Sequence, residues 1–81
     1  MARIDENLNL AFGSTLREIR QSAGYSQQNL AFECDLDRTY ISLLERGKRQ
    51  PTISTVFVLS KVLGVRASNF LKKVEFQLEE Y

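Results

Sequence analysis

The chain has 81 residues, of which 43% are hydrophobic and 26% charged, so it suffices for one small domain with a modest core. The chain has no histidine and one cysteine, which leaves neither a zinc site nor a Ser-His or Cys-His nucleophile pair, and we expect no enzyme, metal or cofactor. No apolar run approaches the roughly 20 residues of a membrane span and no signal-peptide pattern opens the chain, so we expect a cytoplasmic protein.

The net charge of +1 conceals an uneven distribution. Residues 38–49 contain Arg38, Arg46, Lys48 and Arg49 against the single acid Glu45, a local net charge of +3. The rest of the chain has seven basic and nine acidic residues, or −2. A basic stretch of this kind indicates either a solvated turn or a surface for a negatively charged partner.

The first predicted helix runs from about Asn9 to Ala23 and is preceded by a polar, frayed segment. Its apolar face is formed by Phe12, Leu16, Ile19 and Ala23, at helical spacing. Arg17 and Arg20 are placed off this face. Gly24 follows as a left-handed cap.

Two short helices come next. Ser26 is a favourable N-cap for a helix that ends near Cys34, and Asp37 caps a third helix that runs to Glu45 or Arg46 and ends at Gly47. Asp35 lies within the turn between them, at a position that favours a positive φ.

The fourth helix starts at Pro51 and Thr52 and ends at Gly64. Its buried face is predicted from Ile53, Val56, Leu59, Ser60 and Leu63. Three further apolar residues, Phe57, Val58 and Val62, indicate burial on a second side. In the tail, a helix is favoured to about Lys73, while residues 74–81 fit either a helical stripe or an alternating strand.

Residues 26–45 therefore read as helix, three-residue turn and helix, the layout of a DNA-binding helix-turn-helix. Successive turns of 100° place Arg38, Thr39, Ser42 and Leu43 on one face of the third helix, with Tyr40, Ile41 and Leu44 on the other. An arginine can bond guanine, hydroxyls can bond bases or phosphates, and a leucine can meet a thymine methyl. The alternatives are that Arg38 pairs with a nearby acid and that Leu43 is a core residue.

From Phe12 to Phe70 the chain resembles the Cro and repressor proteins of lambdoid phages, the Xre-type regulators. The residues that carry the resemblance read SQQNLA (26–31), RTYISLLERGKRQPT (38–52) and LGV (63–65). Among these regulators it is most similar to the controller proteins of restriction–modification systems. The resemblance implies an all-α, single five-helix domain of the lambda-repressor-like type over residues 1–81, with dimerisation through about 53–81.

The resemblance also implies roles for individual residues. Gln27, with Gln28 beside it, opens the second helix, where the family has a phosphate contact and a brace. Arg38 and Thr39 match base-reading positions, and Ser42 and Leu43 the later positions of the same helix. Tyr40 matches an aromatic residue that contacts the sugar–phosphate backbone of the DNA. The loop that contacts the DNA backbone is matched by Arg46, Lys48, Arg49 and Gln50.

The expected function is transcriptional regulation by a homodimer on a palindromic operator in double-stranded DNA, with no small-molecule ligand. The dimer interface is predicted from the surplus apolar residues Phe57, Val58, Val62, Phe70, Leu71 and Val74. A phage-type repressor, an autoregulatory antitoxin and a protein-interaction module without DNA contact remain as alternatives.

Overall fold

A computed structural model describes residues 2–80, with side chains from Asp5 onward. Within this range the chain forms five helices and no strand, and the folded chain measures 33 × 23 × 20 Å. Their bounds are α1 Ala2–Ser22, α2 Gln27–Cys34, α3 Arg38–Glu45, α4 Ile53–Leu63 and α5 Ala67–Leu78. None of the described helices is long and apolar enough to cross a bilayer.

The first helix packs against α5 and α3, while α4 contacts both α2 and α5. The rings of Phe12 and Phe70 stack with centroids 5.1 Å apart, which joins α1 to α5 at the centre of the core. Phe12, Leu16 and Ile19 are buried as predicted, but Ala23 is exposed because α1 ends at Ser22.

The start of α1 differs from the prediction. The segment before Leu8 was expected to be frayed, yet the helix begins at Ala2, and its first turn contains Asp5. An acidic residue there interacts favourably with the N-terminal end of the helix dipole.

The residues with left-handed backbone conformation lie at the helix ends and turn where the sequence predicted them. Gly24, Gly47 and Gly64 have φ of 82°, 72° and 75°, and Asp35 is the described non-glycine residue with positive φ, at 56°. The turn at Asp35 is closed by a hydrogen bond of 2.8 Å from the amide of Leu36 to the carbonyl of Ala31. Such a bond satisfies a terminal carbonyl of α2 and turns the chain sharply toward α3.

In the C-terminal third, α5 continues to Leu78, so the strand alternative is wrong for residues 74–78, and Tyr81 lies outside the described residues. Val56, Leu59, Ser60 and Leu63 are buried as predicted. Ile53, the first residue of α4, was predicted to share that face but is 71% exposed.

Cys34 is buried in the core with 7% of its surface exposed. Burial, and to a smaller extent the negative charge of Glu33, raises the pKa of its thiol. A buried thiol of raised pKa is poorly nucleophilic, so Cys34 functions as a small apolar residue.

Candidate nucleic-acid interface

Two N-caps position the helix pair. The hydroxyl of Ser26 accepts a 3.0 Å hydrogen bond from the amide of Asn29, and a carboxylate oxygen of Asp37 accepts one of 2.8 Å from the amide of Thr39. Both residues were predicted as caps from their identity and place alone. Ser26 thus fixes where α2 begins, while Asp37, which follows the left-handed Asp35 by two residues, fixes where the turn ends and α3 begins.

The inward side of α3 is held by apolar packing. Ile41 and Leu44 are 0% exposed, and Leu30 and Ala31 of α2 are buried with them in the same core cluster. The first helix reaches the end of α3 at Gly13, where a Cβ atom would overlap the carbonyl oxygen of Leu44. Only glycine permits this close approach, so α3 is fixed to both α1 and α2.

The outward side of α3 carries the predicted reading residues. Arg38 and Thr39 are exposed, whereas Ser42 and Leu43 are half-buried. Among the described residues Arg38 forms no salt bridge, so the pairing alternative has no support and its guanidinium faces solvent. Leu43 is intermediate between core and surface, and both of its alternatives stay open.

A buried ion pair that the sequence did not reveal braces α3 from behind. The carboxylate of Glu45 receives two hydrogen bonds from Arg20, from Nε at 2.5 Å and from Nη2 at 3.0 Å. Gln27 donates a third from Nε2 at 3.0 Å, and Arg17 lies at 3.5 Å. The side chain of Glu45 is 0% exposed, and Arg20 also donates to the carbonyl of Tyr25 at 2.9 Å. This network, called the Glu45 brace below, joins α1, α2 and α3.

The prediction that Arg20 lies off the apolar face of α1 is therefore wrong. Arg20 follows the buried Leu16 by four residues, so it lies on the same side of the helix, and only 9% of it is exposed. That spacing, with Glu45 as the single acid of a basic stretch, was the available signal. The predicted bracing role of Gln27 is supported by its bond to Glu45.

The carboxylate of Glu45 is ionised because its partners outweigh its burial. Burial alone would raise the pKa of Glu45, but the hydrogen bonds from Arg20 and Gln27, the charge of Arg20 and a contact with Arg17 lower it below the usual range. A charged, multiply bonded carboxylate holds its partners more firmly than a neutral one.

The basic loop after α3 borders the same surface. Lys48, Arg49 and Gln50 are exposed, and the guanidinium carbon of Arg49 lies 5.6 Å from the centre of the Tyr40 ring. Arg46 is exposed but folds back, its Nε atom 3.3 Å from the hydroxyl of Ser42.

Tyr40 was predicted to lie on the inward face of α3, with Ile41 and Leu44. Its ring packs partly against the core, and its hydroxyl lies 3.3 Å from that of Thr55 on α4. Gln28 is exposed on the first turn of α2. The predicted contact residues that are exposed are Gln28, Arg38, Thr39, Arg46, Lys48, Arg49 and Gln50.

The predicted dimer residues fall into two groups. Phe57, Val58 and Leu71 are exposed by 59%, 39% and 43%, and Val62 is half-buried. Phe70 and Val74 are 0% and 3% exposed within a single chain. Both belong to the core of their own chain, which leaves almost none of their surface for a second copy.

An exposed helix supported by a second helix across a tight turn is the geometry of the helix-turn-helix. The chain belongs to the helix-turn-helix family, whose sequence profile matches residues 16–70. Three proteins to which this chain is similar are control or controller proteins.

Control protein C.BamHI of Bacillus amyloliquefaciens is 48% identical over 66 residues, which cover 80% of this chain and 82% of that protein. The restriction–modification controller protein C.AhdI from Aeromonas hydrophila has a TM-score of 0.74 at 35% identity, covering 76% of this chain and 94% of that one. The controller protein C.Esp1396I, solved as a tetramer in complex with its natural 35-base-pair operator, has a TM-score of 0.79 at 32% identity, with coverages of 88% and 93%.

Proposed function

We propose that this chain is a sequence-specific DNA-binding transcriptional regulator, which acts as a homodimer on a palindromic operator and controls a restriction–modification system. The observation that carries the proposal is the exposed face of α3, where Arg38 and Thr39 face solvent beside the basic loop. The similarity of this chain to a controller protein solved in complex with its operator supports double-stranded DNA as the partner.

Base reading is assigned to the N-terminal end of α3. In helix-turn-helix proteins this end of the recognition helix enters the major groove. Arg38 is exposed there and can form two parallel bonds to the O6 and N7 atoms of guanine. Thr39 follows it, and Ser42 and Leu43 lie one turn further along the helix, where they are half-buried.

Phosphate gripping is assigned to the residues around α3. Lys48, Arg49 and Gln50 follow the helix in the exposed loop, and Gln28 is exposed at the start of α2. These side chains cannot read sequence from outside the groove, but cationic contacts supply much of the affinity by releasing counterions from DNA. The Glu45 brace joins the start of α2 to the end of α3 and so supports the placement of the two helices relative to each other.

The homodimer is assigned to the exposed apolar residues of α4 and α5. One α3 reaches only a few base pairs, so specificity requires a second copy at about 34–36 Å, one helical turn of DNA away. Ile53, Phe57 and Leu71 are large apolar side chains that remain exposed in a single chain. Burying them between two copies pairs the reading helices with the two halves of a palindrome.

The test begins with selection of binding sites from random duplex DNA by the purified chain. We expect an inverted repeat with half-sites about 10–10.5 base pairs apart, or a multiple of that spacing. Its affinity should fall steeply with salt, with a logarithmic slope of about −0.9 for each phosphate contacted.

A chain that selects no sequence and shows no salt-sensitive DNA binding would be a protein-interaction module, and the proposal would be wrong. The genes beside the coding sequence separate a restriction–modification controller from a phage-type repressor or an antitoxin. A controller should bind the DNA upstream of its own gene, next to genes for a nuclease and a methyltransferase.

A further inference from the structure

The hydroxyl groups of Tyr40, Thr55 and Thr52 lie in a row, each within contact distance of the next. The Oγ1 atom of Thr55 is 3.3 Å from the hydroxyl of Tyr40 and 3.0 Å from Oγ1 of Thr52. Thr52 is the N-cap of α4, and its oxygen also accepts a 3.1 Å bond from the amide of Thr55. Thr55 is only 8% exposed, so the middle hydroxyl has little access to water.

We infer that Thr55, backed by Thr52, is a positioning residue that makes the hydroxyl of Tyr40 donate outward to a phosphate oxygen of bound DNA. The inference rests on the proposed function, because it specifies how one residue of that surface contacts the DNA backbone. It adds to the proposed contact the buried Thr55 of α4 and Thr52, the N-cap of that helix.

The direction of donation follows from the number of hydrogens. Each hydroxyl has one hydrogen to donate, and a phosphate oxygen can only accept. For Tyr40 to bond a phosphate, its hydrogen must point outward, and its oxygen is then free to accept from Thr55. Thr55 in turn accepts from Thr52, so that every hydrogen of the row has an acceptor.

The opposite direction would oppose DNA binding. If Tyr40 donated to Thr55, it would present only lone pairs to the phosphate, and two acceptors repel each other. DNA binding therefore selects the outward direction. The 3.3 Å separation between Tyr40 and Thr55 is longer than the usual 2.7–2.8 Å for hydroxyl pairs, and it should shorten because bonds in a row polarise one another.

The ring of Tyr40 is also fixed on its face. The guanidinium carbon of Arg49 lies 5.6 Å from the ring centre, within the range of a cation–π contact. Thr55 holds one end of the tyrosine, and the tyrosine supports an exposed cation of the gripping loop. Through the ring of Tyr40, the row of hydroxyls thus also supports the position of the Arg49 side chain.

The experiment compares Thr55→Val, which keeps the shape of the side chain and loses the hydroxyl, with Thr55→Ser, which keeps the hydroxyl. Affinity is measured on the operator selected by the wild-type chain. We expect Tyr40→Phe and Thr55→Val each to weaken binding about three- to tenfold per subunit, as the loss of one hydrogen bond does, and Thr55→Ser to stay within about twofold. In the Tyr40→Phe background, Thr55→Val should cause no further loss.

A second measurement replaces the operator phosphates one at a time with uncharged methylphosphonates. The wild type and Thr55→Ser should be sensitive at one phosphate per half-site where Tyr40→Phe and Thr55→Val are not. Thermal unfolding of each variant establishes that it is folded at the assay temperature. If Thr55→Val is too unstable, Thr55→Ala is compared with Thr55→Ser in the same way.

Additive losses from Tyr40→Phe and Thr55→Val, or a phosphate sensitivity that persists in Thr55→Val, would overturn the inference. Wild-type affinity in Thr55→Val would also overturn it. In each of these cases the proposed function would stand. A wild-type chain that binds no DNA would instead overturn the proposed function itself.

Discussion

Removal of the Glu45 carboxylate should destabilise the fold far more than any other single change of charge on α3. In Glu45→Ala, Arg20 loses the two hydrogen bonds that it donates to the carboxylate and keeps only its bond to the carbonyl of Tyr25. Gln27 loses its partner as well. The change leaves a buried cation without a counter-charge at the junction of three helices.

The expected cost follows from burial. Breaking a buried ion pair by removing one partner costs about 3–5 kcal/mol. Since Arg20 is 9% exposed and keeps one hydrogen bond, we expect about 3 kcal/mol, the lower end of that range. A domain of 81 residues has a total stability of about 4–12 kcal/mol, so the loss is a large fraction of it. The melting temperature should fall by about 12–24 °C.

The assay is urea denaturation followed by circular dichroism, with matched variants. Arg17 is a control because its side chain is 52% exposed and its pairing with Glu45 is screened by water, so Arg17→Ala should cost less than about 1 kcal/mol. Replacing both Arg20 and Glu45 with methionine should recover most of the stability, because no buried charge is then left unpaired. A Glu45→Ala variant no less stable than Arg17→Ala would refute the reasoning.

The same carboxylate predicts a dependence of stability on pH. The pKa of Glu45 is lowered in the folded chain by its hydrogen bonds, so its contribution is complete above the unfolded pKa of about 4.3 and is lost as pH falls through the folded value. The free-energy difference between the wild type and Glu45→Gln should therefore narrow on acidification from about pH 7 to pH 3. A difference that stays constant over this range would show that the charge of Glu45 is not responsible.

Three further predictions concern reading, capping and assembly. Arg38→Ala should cost about 1–3 kcal/mol of operator affinity and relax one base preference per half-site. Arg49→Ala should weaken binding to all sequences equally and reduce the salt dependence of binding by about one phosphate contact per subunit. Titration against single-base variants of the operator at several salt concentrations distinguishes the two. Asp37→Ala should cost about 1 kcal/mol of stability in denaturation and leave base preference unchanged. Leu71→Glu should yield a folded monomer in sedimentation, and Phe70→Glu an unfolded chain by circular dichroism.

The helix boundaries around the site could be predicted because they depend on local chemistry. Ser26 and Asp37 accept amide hydrogen bonds within three residues, and Asp35 and Gly47 adopt the positive φ that ends a helix. Each of these interactions is contained in a segment of a few residues. Residue type and position are therefore sufficient to place them.

The Glu45 brace could not be derived in this way. Arg20 and Glu45 are 25 residues apart, and their pairing depends on how α1 crosses α3. That crossing is permitted by Gly13, whose missing side chain lets the backbones meet. Helical periodicity gives the side of α1 on which Arg20 lies, but it does not give the partner, and a charged residue beside an apolar stripe usually remains in water.

The division of the apolar tail residues between core and surface has a related cause. Phe70 and Leu71 are adjacent, and a periodic pattern marks both as apolar without telling which contacts the same chain. In the folded chain the ring of Phe70 stacks against Phe12 and is fully buried, whereas Leu71 stays 43% exposed although α5 packs on both α1 and α4. Leu71 instead borders a groove with Ile53 at the start of α4. A dimer contact on this side must therefore use the residues that the five-helix core leaves exposed, and these include Ile53, which its helical spacing had assigned to the core.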